Sequence, residues 1–120
     1  MKIAITSERT DLNSSVDTRF GRAKYFIIYD SETNTFSSID NEQNLNAAQG
    51  AGIQSAQNVV NSEAECVITG HCGPKAFNVL NKANVKVYLT EGGTVKEALD
   101  AFTKGELKST DGFDVEGHWV

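Results

Sequence analysis

The sequence predicts an α/β domain: a mixed five-stranded sheet carrying helices on its faces. Two observations lead there. Short runs rich in β-branched and aromatic residues alternate, through the second half of the chain, with longer segments whose apolar residues recur at helical spacing. Near the N-terminus two such runs are separated only by Ser31-Glu32-Thr33-Asn34, the signature of an antiparallel hairpin. A chain of 120 residues is one ordinary domain, large enough for a single core without staples.

The elements follow in order. Met1 to Thr6 is an apolar run ending in polar Ser7 to Asp11, a buried first strand and its loop. Lys24 to Asp30 carries Tyr25, Phe26, Ile27, Ile28 and Tyr29 and forms the second strand. Thr35 to Asp40 is the third, polar on one face and therefore an edge. Asn41 to Gln49 is polar and reads as a loop. From Gly52, apolar residues at Ile53, Ala56, Val59 and Val60 have the spacing of an amphipathic helix. Cys66 to Thr69 is a fourth, buried strand, broken by Gly70. Pro74 then suits the first position of a second helix, because its fixed φ fits and its missing N–H would have had no partner. That helix sets Ala76, Phe77, Val79, Leu80 and Ala83 on one side. Val85 to Leu89 is the fifth strand. Thr94 and Glu97 form a capping-box pattern opening a third helix through Ala98, Leu99 and Phe102, which Gly105 ends. Ser62 and Glu65 imitate that box, but a strand follows them. Residues 1–105 are thus the domain. Residues 106–120 hold four acids against one lysine and are expected to be a mobile acidic tail.

A β-β-β-α-β-α-β-α order with right-handed crossovers gives the strand order 3-2-1-4-5, as in ribonuclease H-like folds. Strands one and four lie side by side at its centre, and their C-terminal ends open on one edge, where ligands of open α/β sheets bind. Eleven Lys plus Arg against sixteen Asp plus Glu leave a net charge of -5, which argues against general nucleic-acid binding. No apolar stretch is long enough to cross a bilayer and no signal-type h-region opens the chain, so no membrane association is expected. Two cysteines are too few for a disulfide scaffold and point to a reduced, cytoplasmic compartment.

Three loops should converge on the edge: Ser7 onward, Gly70-His71-Cys72-Gly73-Pro74, and Thr90-Glu91-Gly92-Gly93. Imidazole and thiolate suit soft and borderline metals, so His71 and Cys72 are the candidate metal ligands, with His118 a further one. Cys72, opening a helix, is expected to be partly thiolate. Against this stands the plainer reading of His71 and Cys72 as ordinary loop residues, since one pair cannot complete a four-coordinate site. Cys66 begins an apolar strand and reads as a core residue. All three arginines, Arg9, Arg19 and Arg22, lie within one short stretch of an acidic chain. Pairing with Glu8, Asp11 and Asp17 is the plainer account of Arg9, while Arg19 and Arg22, flanking Phe20-Gly21, are placed to face a bound anion. A nuclease of the ribonuclease H type needs a carboxylate in the first strand, where Lys2 to Thr6 has none, and a P-loop, a G-x-G-x-x-G fingerprint and an H-E-x-x-H helix are absent.

Asp17-Thr18-Arg19-Phe20-Gly21-Arg22-Ala23-Lys24-Tyr25-Phe26, then Ile68 to Phe77, then Val85-Lys86-Val87-Tyr88 resemble, in order and spacing, the dinitrogenase iron-molybdenum cofactor biosynthesis family. That family includes cofactor carriers of the NifX and NafY type, the C-terminal domain of the NifB type, and the orange protein with its molybdenum-copper sulfide cluster. The resemblance implies a domain that binds an anionic metal-sulfur cluster or precursor, whether iron-molybdenum, molybdenum-copper or iron-sulfur, and hands it to cofactor-assembly proteins without turnover. It implies cofactor contacts at Arg19, Phe20 and Gly21, and at Gly70 and Gly73 of the Gly-x-x-Gly-Pro loop, to which the charge of Arg22 adds a further candidate. Stand-alone members often lack His-Cys in that loop, so ligation by His71 and Cys72 rests on donor chemistry. The competing readings are a regulatory or interaction module, with a vestigial site, that serves a partner ATPase or redox protein, and a small thiol enzyme using Cys72.

Overall fold

In the computed structural model the described residues are 1–41 and 50–110. The elements are β1 (Lys2–Ser7), β2 (Tyr25–Asp30), β3 (Thr35–Asp40), α1 (Ala51–Asn61), β4 (Cys66–Thr69), α2 (Pro74–Lys82), β5 (Lys86–Leu89), α3 (Val95–Thr103) and β6 (Lys108–Thr110). One sheet runs β3-β2-β1-β4-β5-β6, so the expected order holds and a sixth strand extends it. β1, β4 and β5 are parallel neighbours, whereas β2, β3 and β6 join by antiparallel pairing.

The central strands are apolar on both faces because both are covered. Ala4, Phe26, Ile28, Val67 and Val87 pack under Ala56 and Val59 of α1 and Ala76 and Leu80 of α2. Ile3, Ile5, Ile27, Cys66 and Ile68 face the other way, under Val95, Ala98 and Leu99 of α3. Removing one such aliphatic side chain from water contributes about 1.5–3 kcal/mol. β3 is exposed apart from half-buried Ile39, as its polar sequence requires of an edge.

Local signals close the helices. Thr94 Oγ1 accepts the Glu97 N–H at 3.1 Å while Glu97 Oε1 accepts the Thr94 N–H at 2.9 Å, completing the capping box. These bonds hold the Glu97 carboxyl below its ordinary range. Ser62, of the imitation box, works at the other end of a helix: its hydroxyl donates to Val59 O at 2.6 Å. α3 ends at Gly105, φ 75°, where the N–H groups of Gly105 and Glu106 donate to Phe102 O and Ala101 O at 3.0 and 2.9 Å, a Schellman motif.

That turn corrects the expected tail. Lys108–Thr110 returns antiparallel to β5, and Leu107 packs against the same buried cluster as Tyr88 and Phe102, whose rings meet edge to face at 4.9 Å. One apolar residue thus anchors a polar strand. Residues 111–120, His118 among them, lie outside the described residues.

Cys66 is a core residue, 2% exposed. Burial, with the Glu65 carboxylate as a lesser contribution, pushes its thiol from 9.0 up to about 11. Between those values the unfolded chain has lost the proton that the folded chain keeps, so stability falls as pH rises through that window. The urea midpoint should therefore drop more steeply from pH 9 to 11 in the wild type than in Cys66→Ala. Parallel slopes would contradict this.

Candidate functional site

Beyond Ser7 the chain doubles back along the C-terminal ends of the parallel strands. Isolated bridges join Ser7 to Val16, Ser15 to Thr94 and Arg19 to His71. The N–H groups of Asp17, Val16 and Phe20 donate to Thr6 O at 3.0 Å, Gly93 O at 2.8 Å and His71 O at 3.1 Å. The buried Thr6 hydroxyl donates to Asp17 O at 2.6 Å and lies 3.0 Å from Thr69 Oγ1. So the three expected loops do meet, stitched by a single segment.

Gly70 is glycine because of that segment. A Cβ there would stand 2.7 Å from Thr18 Cβ and 2.8 Å from its Cα and carbonyl oxygen. Backbone cannot retreat as a flexible side chain would. Gly70→Ala should cost about 1–3 kcal/mol and lift Arg19 off His71. A lowered urea midpoint together with the loss of Phe20 amide protection would show both effects, and an unchanged midpoint would contradict them.

The bridge at His71 also decides where the candidate ligands point. Successive residues of an extended chain face opposite ways. His71 is exposed, whereas Cys72 is 0% exposed and packs among Phe20, Ala76 and Leu80, its Sγ donating to Gly73 O at 3.8 Å. The expected His71-Cys72 ligand pair at the edge is therefore split: the imidazole is accessible and the thiol belongs to the core. Phe20, expected at the cofactor, also turns its side chain inward: the ring is 1% exposed and lies 5.5 Å from that of Phe26.

The arginines divide differently. Arg19 has a half-exposed side chain, with Nε 3.7 Å from Asp17 Oδ1, and that same oxygen accepts the Arg19 N–H at 3.0 Å. Asp17 is buried, and desolvation raises its carboxyl above the usual range despite the opposing Arg19 contacts. Arg22 is half-buried, between Gly21 and Ala23. A Cβ on Gly21 would lie 3.1 Å from Gly52 N and Cα, so the turn rests directly on the first turn of α1. Arg9 is exposed on the preceding loop, its N–H bonded to Ser7 Oγ at 3.3 Å.

All three helices begin at this edge, because α1, α2 and α3 each follow a strand, β3, β4 or β5, that ends there. They begin differently. α3 is closed by its own Thr94 and Glu97. α1 starts at Gly50 and α2 at Gly73, neither with a side-chain cap nor with an acid in its first turn. The N–H groups there retain positive potential. Gly73, expected at the cofactor, is the N-cap residue of α2, in extended backbone.

His71 also lines a groove of about 1210 Å³. Thr18, Thr90–Gly93 and Leu107–Thr110 line it as well. The last of these belongs to the segment expected to be tail. A Leu followed by a polar run ending in Thr after a helix-stopping Gly was the available signal, too short for a period to register. Among the described residues no cluster of three or more His, Cys, Asp or Glu is arranged to hold a metal ion, and no helix is long and apolar enough to cross a membrane.

A search of curated protein sequences found no match. Solved structures do match. The apo form of the orange protein from Desulfovibrio gigas is 36% identical with a TM-score of 0.92, over 95% of this chain and 96% of that one. A NifB-like protein from Thermotoga is 42% identical with a TM-score of 0.84, over 95% and 97%. A dinitrogenase-like protein from Methanocaldococcus jannaschii shares the fold at 21% identity and a TM-score of 0.68, over 93% and 96%. The family profile described as dinitrogenase iron-molybdenum cofactor matches residues 1–105. With the Arg-Phe-Gly turn and the Gly-His-Cys-Gly-Pro loop joined at one sheet edge, the chain belongs to the dinitrogenase iron-molybdenum cofactor family.

Proposed function

We propose that this protein binds an anionic metal-sulfur cluster, or a precursor of one, at the C-terminal edge of its sheet and carries it between cofactor-assembly proteins without turnover. The observation that carries this reading is the seat of the arginine turn. Arg19 to Arg22 is bonded to the β4–α2 loop through Phe20 N–H and His71 O, and packs through Gly21 on the opening of α1. A turn carrying two arginines and two helix N-termini without side-chain caps are thereby gathered in an otherwise acidic protein. Each of these features favours an anion.

The cargo in this reading is a cluster of the iron-molybdenum, molybdenum-copper or iron-sulfur type, and the match to the iron-molybdenum cofactor family supports it. It brings its own sulfide ligands, and the protein adds charge, hydrogen bonds and the accessible His71 imidazole. Cys72 takes no part as a ligand, because its sulfur faces the core. The backbone at Gly70 and Gly73 shapes the loop that carries His71.

Anaerobic incubation with tetrathiomolybdate and copper, or with iron and sulfide, followed by desalting, should leave a coloured protein. Cys72→Ala should keep the colour, and His71→Ala should weaken uptake by about tenfold, the scale of one hydrogen bond to a charged group. A colourless wild type in every mixture would sink the carrier reading. Loss of colour in a folded Cys72→Ala variant would restore the thiol as a ligand.

A further inference from the structure

A buried polar network joins three elements beneath the arginine turn. Asn41, at the end of β3, donates through Nδ2 to Ala23 O at 2.8 Å and to Ser55 Oγ at 3.0 Å. Ser55 of α1 passes the connection on, its hydroxyl donating to Gly21 O at 3.1 Å. Asn58, one helical turn further, donates through Nδ2 to Asn41 Oδ1 at 2.7 Å. The Asn41 backbone adds an N–H bond to Lys24 O at 2.7 Å. Asn41 and Ser55 are both 0% exposed.

Burying an amide and a hydroxyl is a poor route to stability alone, since well-packed apolar residues of similar shape serve at least as well. What a satisfied network supplies is one defined geometry. Here it ends on the carbonyls of Gly21 and Ala23, the two residues that flank Arg22. The other end of the turn is pinned separately, by the Arg19 N–H on Asp17 Oδ1 and the Phe20 N–H on His71 O. Both arginines therefore rise from anchored backbone. A site that binds by charge gains most from such preorganisation, because the groups need not be ordered when the guest arrives.

We infer that Asn41, Ser55 and Asn58 are positioning residues that hold the backbone of Arg22 in place for the anionic guest. The inference rests on the carrier reading for its purpose, though not for its geometry. Ser55→Ala should loosen Arg22 in the unloaded protein, with its backbone amide order parameter falling from about 0.85 toward 0.6, while Ser55→Thr, which keeps the hydroxyl, restores it. In the tetrathiomolybdate and copper titration Ser55→Ala should bind about tenfold more weakly with a changed visible circular dichroism, and should have no further effect once Arg22 is Gln. Asn58→Ala, at a half-buried position, repeats the test if Ser55→Ala does not fold. An ordered Arg22 in a folded network variant overturns the positioning role, as does an equal loss of affinity with and without the Arg22 side chain. If Arg22 loosens while even the wild type takes up no colour, positioning stands and the carrier reading falls.

Discussion

Alanine in place of Phe20 is expected to destabilise the domain by about 3–5 kcal/mol, the usual cost of removing a buried phenyl ring. The ring is 1% exposed, tilted 53° against Phe26, and shares its cluster with Cys72, Ala56 and Ala76. Ala56, Ala76 and Cys72 are too small to reach across the gap, and Phe26 is held in β2. A domain of this size is stable by only about 5–15 kcal/mol, so a large part of that margin would go. Urea unfolding would register it as a lower midpoint at unchanged slope. Phe20→Leu, which keeps most of the volume, should fold and still take up a cluster. A loss below about 1 kcal/mol in Phe20→Ala would mean that the ring is not held as described. If Phe20→Leu folds normally but binds nothing, the ring contacts the guest after all.

Converting both Arg19 and Arg22 to Gln should weaken cluster uptake by about a hundredfold, near tenfold for each charge-assisted hydrogen bond removed. Arg19→Gln by itself should change stability by no more than about 1 kcal/mol, since Arg19 is half-exposed and its pair with Asp17 is a partly solvated one. The two variants thus separate a core role from a binding role within one four-residue motif. Anaerobic titration with tetrathiomolybdate and copper, followed at its visible band, gives the affinities. Binding by charge also requires that wild-type uptake weaken as salt is added. Unchanged affinity in the double variant, or indifference to salt, would remove the electrostatic basis of the proposed site.

The elements with a local signal were legible in the sequence. β3 runs from Thr35 to Asp40 as read, and β4 from Cys66 to Thr69, because a partly alternating stretch and an apolar run, each bounded by turn residues, need no distant partner to be recognised. α3 was readable at both ends, since Thr94, Glu97 and Gly105 act on backbone within a turn of themselves. β6 was hidden because three polar residues carry no period. It forms where Gly105 aims the chain back along β5 and Leu107 reaches the buried cluster under α3. The site was legible as a set of loops and not as a set of side chains. Donor chemistry put His71 and Cys72 together, but a β-bridge to Arg19, remote in sequence, turned them to opposite faces. The network under Arg22 had no signal at all, since Asn41, Ser55 and Asn58 are ordinary polar residues until the fold brings them to Gly21 and Ala23.

The sequence by itself determined the strand and helix order, the sheet order that follows from right-handed crossovers, the edge where the loops gather, and the Arg-Phe-Gly and Gly-x-x-Gly-Pro blocks that mark the family. Periodicity, capping and crossover handedness are properties of neighbours along the chain, so they survive in one dimension. Only the tertiary structure decided which side of the backbone each candidate residue occupies, why Gly70 must lack a side chain, and what anchors the arginines. Those depend on segments far apart in sequence approaching within a hydrogen bond's length, and such approaches leave no mark on either segment alone.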